Sequence, residues 1–311
     1  MPLRALELQP ESYKKFDLVT VVYSKELDYL EIQARSIELY VPREYINNII
    51  VITNDPSSAE SYTIDPSWYG INADKLKIIN YRDWGFSNSN LDNPSSFYGG
   101  WENQQLCKLL VSQNVESEWY YVLDAKTWFV NPIQYEKLFS KDGKSNNKRI
   151  PVNKNFDTAV PAINQQFGID LKQAIGPGGV PFCFHTDSVK EMITHITTVA
   201  NPTEKFHDFF LSRVAVSNPN PITEFMLYSG YLLKKYGDYK SLYIDDETIF
   251  QYFAQNVSDT DTAKFDELLI RMHDFGCMTV SVHKRALVKL KLYQLRNWIG
   301  FLTEKNLVLD N

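Results

Sequence analysis

Short apolar runs alternate with amphipathic stretches along this chain. "DLVTVVY" (Asp17 to Tyr23) is β-branched and almost wholly apolar, which predicts a buried strand. A helix follows, with Leu27, Leu30, Ala34, Ile37 and Val41 on one stripe at spacings of three and four, and Pro42 stops it. "NIIVITND" (48–55) and "LKIIN" (76–80) read as the second and third strands. Strand, helix and strand with near-continuous apolar runs predict an α/β chain built on a parallel sheet covered on both faces.

A polar loop, "GFSNSNLDNPSSFYGG" (85–100), leads into a helix over 101–114 with two faces. Leu106, Leu109, Leu110 and Gln113 form one; Trp101, Gln104 and Lys108 form the other, at i, i+3 and i+7. The most apolar strand, "WYYVLD", spans 119–124 and ends on Asp124. "SKDGKSNNKR" (140–149) reads as a loop or hairpin tip, and "FDTAVPAI" and "VPFCFH" as shorter strands. Between these strands lies Gly176-Pro-Gly-Gly179, a turn requiring glycine's backbone freedom.

Residues 187–199 predict an amphipathic helix with Val189, Met192, Ile193, Ile196 and Val199 inward, and with Ser188 and Glu191 at capping-box spacing. Further helices are expected over 204–216, 223–236 and 247–255, then a late strand over 277–283. With no internal repeat or linker, the expectation is one domain over 1–311, with 1–16 an N-terminal extension and 286–311 a C-terminal helical segment.

Composition narrows the function classes. The net charge of −6 gives no basic field for nucleic acid or anionic membrane. Cys107, Cys183 and Cys277 are scattered and odd in number, which argues against a disulfide framework or zinc site and for a reducing cytosol. No signal-peptide pattern opens the chain, and no stretch approaches the ~20 apolar residues of a membrane span; the expectation is a cytoplasmic protein. Aromatic residues reach 14%, which suits sugar-stacking platforms but equally an aromatic core. No G-x-G-x-x-G follows the first strand, and no P-loop, H-E-x-x-H or G-x-S-x-G occurs, so dehydrogenases, P-loop NTPases, zinc proteases and serine hydrolases lose ground.

What remains is Asp124. Ligands of open α/β sheets bind beyond the carboxyl ends of strands, so Asp124 is placed to meet one; capping the following turn is the plainer role. Two residues on stands Lys126, and strand-like alternation puts both side chains on one side.

In order along the chain, "DLVTVVYSKELDYLEIQARSIELYVP", "NIIVITND", "GGWENQQLCKLL", "WYYVLDAKTWFVNP", "PITEFMLYSGYL" and "VSVHKRAL" resemble the GT-A nucleotide-sugar glycosyltransferases, and most of all a little-characterised bacterial and phage group of them. The likeness runs from about Asp17 to Arg285. It implies a GT-A, Rossmann-like fold with a mixed, mostly parallel central sheet flanked by helices. It implies transfer of a sugar from a nucleotide-diphosphate donor to a hydroxyl acceptor.

In that family the strand usually ends in Asp-x-Asp, whose second carboxylate binds Mn²⁺ or Mg²⁺ against the diphosphate. Asp124 matches the first position; Lys126 replaces the second. Either the Lys126 ammonium substitutes for the metal as a fixed cation, the favoured account, or Lys126 pairs with Asp124 while a metal is held by Asp124 and His283. In a third account, Lys126 turns away. The cofactor expectation is therefore none, or a divalent cation.

The resemblance implies further roles. His283 and Lys284, after the late strand, are candidates for the diphosphate. Thr223 reads as a helix N-cap, so Glu224 falls in the first turn, where the helix terminus favours the ionised carboxylate. An inverting transferase needs such a general base, and Tyr228 shares its face. Asp245, Asp246 and Glu247 are rival bases. Gln104 and Lys108 are candidates for donor phosphate or sugar hydroxyls, Tyr23 and Asp55 for the nucleotide, and Gly178 and Gly179 for close backbone approach to a sugar. A retaining transferase, a nucleotidyltransferase and a non-catalytic nucleotide-sugar or carbohydrate-binding protein are the alternatives; the nucleotidyltransferase lacks its glycine-rich basic loop after the first strand.

Overall fold

A computed structural model describes residues 13–56, 62–86, 99–147, 149–152, 157–176, 180–214, 218, 221–245, 255–257 and 276–282. The central sheet has five strands: β1 (Phe16–Val22), β2 (Ile46–Thr53), β3 (Leu76–Asn80), β4 (Trp119–Asp124) and β9 (Phe182–His185). Their order is β3-β2-β1-β4-β9. The first four run parallel and β9 pairs antiparallel with β4. This is a mixed α/β fold with a mostly parallel sheet flanked by helices, as the apolar runs predict.

Helix α1 (Leu27–Tyr40) crosses from β1 to β2, and α2 (Gly99–Leu110) precedes β4. A turn at Ala125–Lys126 connects β4 to β5 (Thr127–Phe129). A one-turn helix, α3 (Tyr135–Leu138), then leads to the short strands β6 (Ser145–Asn147) and β7 (Arg149–Pro151). Beyond them come α4 (Val160–Phe167), β8 (Gln173–Ile175), β9, α5 (Thr186–His195), α6 (Phe206–Val214) and α7 (Glu224–Tyr236). Three more short strands are β10 (Tyr243–Asp245), β11 (Gln255–Val257) and β12 (Thr279–Val282). β12 pairs antiparallel with β5 and parallel with β11, β10 pairs with β6, and β7 with β8.

Every residue of β1 is buried, including Asp17 and Thr20. Such burial is tolerable only where polar groups find partners. The Asp17 carboxylate accepts hydrogen bonds from the Asn48 backbone N–H (2.7 Å), the Asn47 and Asn48 amides (3.0 and 3.1 Å) and the Glu116 N–H (3.1 Å). One side chain thereby joins the starts of β1 and β2 and the approach to β4.

Several local readings are corrected. "FDTAVPAI" is not a strand: a 3-10 turn at Asp157–Ala159 runs into α4, with Pro161 in the helix's first turn where proline costs nothing. Ile163 and Phe167, four apart, are its buried face. The polar run 140–149 contains β6, buried because Ser145 to Asn147 pair with β10 and the Asn146 amide donates to the Glu136 and Lys137 carbonyls. Val199 is 68% exposed: the helix widens to a π turn at Ile196–Ala200, which rotates it away from the core.

The N-cap of α5 is His185, whose ring nitrogen accepts from the Ser188 N–H, and no capping box by Ser188 forms. Gln113 is exposed because the chain tightens into a 3-10 turn at Val111–Gln113. Gln255, expected to end a helix, opens β11. Residues 246–254 and the two terminal segments, 1–12 and 283–311, lie outside the described residues. The three cysteines are buried and form no disulfide. Among the described residues no helix is long and apolar enough to cross a membrane.

Helix α7 packs closely on α4 at Gly230. A Cβ there would lie 2.3 Å from Ile163 Cγ2 and 3.0 Å from the Phe167 ring. Gly230→Ala is therefore expected to lower unfolding free energy by about 1–3 kcal/mol through overpacking, read as a drop in denaturant midpoint at constant m-value. Asp17→Ala orphans several buried donors at once; an expected loss of about 3 kcal/mol or more follows, measured by the same titration.

Candidate functional site

β1 and β4 lie side by side with their crossovers departing in opposite directions along the sheet, the switch point at which α/β sheets open a crevice. Val21 is paired with Asp124 there, so Asp124 ends β4 beside the carboxyl end of β1. Gln33, buried on α1, fixes this edge: its amide donates to the Asp124 and Thr127 carbonyls (2.7 and 2.8 Å) and accepts from the Thr20 hydroxyl (2.7 Å). The turn carrying Ala125 and Lys126 is thus held at both ends.

Three more elements converge on Asp124. From α2, the Gln104 amide and the Lys108 ammonium both reach Asp124 Oδ1, at 3.1 and 3.2 Å. From the turn, Lys126 Nζ lies 3.6 Å from Asp124 Oδ2. From the start of α7, Glu224 Oε1 lies 3.4 Å from Lys108 Nζ. Lys108 therefore bridges two carboxylates, one at the end of β4 and one at the start of α7. Thr223 caps α7 by accepting from the Met226 N–H, and Gln105 Oε1 accepts from the Glu224 N–H at 3.4 Å. The Gln105 Nε2 has no partner among the described residues although it is buried.

The two carboxylates are driven apart. Burial pushes the Glu224 carboxyl up, and Lys108 pulls it back only in part, leaving it above its ordinary value. Burial also opposes ionisation of Asp124, but Lys108 and Lys126 outweigh it and hold this carboxyl below its ordinary value. Burial would depress the Lys108 ammonium, but the two carboxylates outweigh that and hold it charged. One carboxylate kept ionised beside another poised to exchange a proton is the pattern of acid–base sites. Lys126, 24% exposed and at the longer distance, is the cation least committed within the group.

Thus Asp124, Lys126, Lys108, Gln104 and Glu224 come together. Other candidates do not join them. Tyr228 is wholly buried, with its hydroxyl donated to or accepting from Tyr243 (2.8 Å) and accepting from the His185 N–H (3.2 Å), so its substrate-binding role is withdrawn. Asp55 is 8% exposed and accepts from the Ser24 N–H (2.9 Å) and the Tyr62 hydroxyl (2.5 Å); it ties the end of β2 to that of β1, beside Tyr23. Asp245, at the end of β10, pairs with Arg149 at 2.8 Å and is not among the residues gathered at Asp124. Trp128, an aromatic that could have stacked on a sugar or base, is packed in the core, as the stronger expectation for it has it, its indole donating to the Tyr29 and Ala125 carbonyls. His283, Lys284, Gly178, Gly179, Asp246 and Glu247 lie outside the described residues.

The sequence offers Lys108 as a candidate for donor phosphate or sugar hydroxyls, but not as a buried bridge to Glu224, 116 residues away. Gln33 and Gln105 were not foreseen. The one signal for Gln33 is an amide next to a helix's apolar stripe. Among the described residues a single carboxylate ends β4, and ammonium groups approach both its oxygens; His283, the other ligand of the metal account, lies outside them. Among the described residues no group of three or more His, Cys, Asp or Glu side chains could hold a metal.

Residues 17–292 match the family described as "Family of unknown function (DUF6492)", and the chain belongs to it. No curated protein matches the chain. Among solved structures, the galactosyltransferase LgtC in complex with donor and acceptor sugar analogs is similar at 11% identity, covering 93% of this chain and 96% of that one with a TM-score of 0.43. An active-site mutant of LgtC is similar at 12% identity, covering 92% and 95% with a TM-score of 0.45.

Ionised Asp124 stabilises the fold above its ordinary value of 3.8, and this is lost as pH falls through its lower folded value. Glu224 has the opposite sign: ionising it costs stability as pH rises from 4.5 through its raised folded value. Carboxyl ¹³C NMR titration is expected to find the Asp124 midpoint below 3.8 and the Glu224 midpoint above 4.5. Lys108→Met should move the Glu224 midpoint higher still and, by stranding buried charge, cost about 3–5 kcal/mol.

Proposed function

We propose that this member of the DUF6492 family is a glycosyltransferase that moves a sugar from a nucleotide-diphosphate donor to a hydroxyl acceptor. The observation that carries the reading is the strand-end Asp124 at the β1/β4 switch point, clasped by Lys108 and Lys126 with Glu224 behind them. The sequence resemblance to GT-A enzymes supports it, because Asp124 matches the first carboxylate of their strand-end motif.

In this reading the donor diphosphate lies in the crevice beyond β1 and β4. Lys126 leaves its long contact with Asp124 and meets the diphosphate as a point charge, and Gln104 orients donor hydroxyls. Asp124 stays ionised and keeps both ammonium groups aimed at the crevice. The acceptor hydroxyl gives its proton to Glu224, and its oxygen bonds to the donor's anomeric carbon. The bond from that carbon to the diphosphate oxygen breaks, and the charge left on the diphosphate is met by Lys126 and Lys108, already in position. No step is routed through a metal, because in this reading Lys126 and Lys108 supply the positive charge at the diphosphate. A displacement of this kind inverts the anomeric centre; a product that keeps the donor's configuration would assign a retaining enzyme instead.

The test is turnover of a panel of UDP-, GDP- and CDP-sugars by the full chain, with and without EDTA and Mn²⁺. Turnover unaffected by EDTA is expected. Glu224→Gln is expected to lower kcat by about 10²–10⁴ with donor affinity kept, and Lys126→Met to weaken donor binding about tenfold. Binding without turnover would support a non-catalytic nucleotide-sugar-binding protein. Failure to bind any nucleotide sugar would sink the transferase reading.

A further inference from the structure

Helix α2 shows solvent a single narrow stripe. Of its residues, Gly99 to Leu110, Trp101 alone is exposed, at 42%; Gly100 and Gln104 are half-buried and the rest are buried. Helical spacing puts Trp101, Gln104 and Lys108 in one row. Gln104 and Lys108 both reach Asp124 Oδ1, so the row faces the crevice at the end of β4. It grades from a buried ammonium, through a half-buried amide, to an exposed indole. Trp101 therefore marks the mouth of the crevice, about 10 Å of helix rise from Lys108.

The row also has a direction across the sheet. Its inner end meets Glu224 through Lys108, and the next residue of α7, Phe225, stacks on Phe182 of β9 with ring centroids 4.5 Å apart. Its outer end is tied to β2: Asn54 donates to the Gly100 carbonyl and accepts from Asn103. The Asn54 N–H donates in turn to the Val22 carbonyl at the end of β1 (2.7 Å). In the sheet, β2 and β9 flank the β1–β4 pair.

A nucleotide sugar laid along this row has its breaking bond at Glu224 and Lys108 and its diphosphate at Lys126. Its nucleoside is then directed away from β9, toward β2 and the indole. We propose that Trp101 is the platform on which the base of the donor nucleotide stacks. The choice of a nucleotide as ligand rests on the transferase reading. Every base has a π face, so a stack of this kind favours nucleosides over bare phosphate without choosing strongly among bases.

Calorimetric titration of the full chain with UDP, GDP, CDP and inorganic pyrophosphate tests this. At least one nucleoside diphosphate is expected to bind, and to bind about ten- to a hundredfold more weakly in Trp101→Ala. Pyrophosphate should bind both chains alike. Trp101→Phe keeps a flat ring and should keep most of the affinity. A saturating nucleoside diphosphate should quench tryptophan emission in the unaltered chain, and the quench should vanish in Trp101→Phe. Thermal melts establish which variants are folded; if Trp101→Ala is not, the emission of Trp101→Phe decides. Unchanged affinity in folded Trp101→Ala, or a quench that survives in Trp101→Phe, overturns the proposal. So does an equal loss for pyrophosphate, which would make Trp101 a support for Gln104 and Lys108, or a loss confined to nucleotide sugars, which would put the sugar on the indole. Each of these leaves the transferase reading standing. Binding of no nucleoside diphosphate also removes the platform, and if nucleotide sugars fail to bind as well the transferase reading falls with it.

Discussion

The ammonium of Lys108 is the contact on which the rest of the site depends. It is almost wholly buried, and a buried charge is tolerable only if paired. Its two partners come from the end of β4 and the start of α7. Helix α2 therefore cannot settle against the sheet until both carboxylates are in place, and neither carboxylate can stay ionised in that setting without α2. The need to neutralise one charge aligns three elements, and the alignment is the site. Its electrostatics exist before any ligand arrives, which is the condition for stabilising charge that develops during a reaction.

Support for this arrangement lies one layer down. The Gln33 amide bonds to carbonyls on either side of the Ala125–Lys126 turn, so the backbone that aims Lys126 is fixed from α1. Beyond the turn, the Thr127 and Ser281 hydroxyls lie 3.1 Å apart, joining β5 to β12. Asn103 donates to Asn54, which in turn donates to the Gly100 carbonyl, tying the start of α2 to the end of β2. Side chains of ordinary polarity thus hold the charged ones still.

The central strands were legible in the sequence because burial on both faces leaves near-continuous apolar runs, and β1, β2 and β4 carry them. Thr223 and Glu224 were legible because capping is local, written within four residues. Asp124 was legible from its place at the end of such a run. Lys108 as a bridging cation was not, since its burial is decided by residues distant along the chain. Short windows misled where two periods agree over few residues: "FDTAVPAI" alternates well enough for a strand, yet Ile163 and Phe167 face the core as one side of a helix. The polar β6 left no apolar trace, because its burial is met by hydrogen bonds rather than by hydrophobic side chains.

The sheet's order also governs how the chain assembles during synthesis. Asp17 reaches across to Ser117, 100 residues later, and β1 pairs with β4 along that same side. At about 5–20 residues per second on the ribosome, β1 waits at least about 5 s with one whole row of backbone donors and acceptors unmatched. During that interval β1 and β2 are an apolar ribbon open to any passing strand. Exposed apolar surface and unpaired strand edges of that kind favour aggregation, so expression yield, more than the stability of the finished molecule, is where slow or crowded synthesis would first be felt.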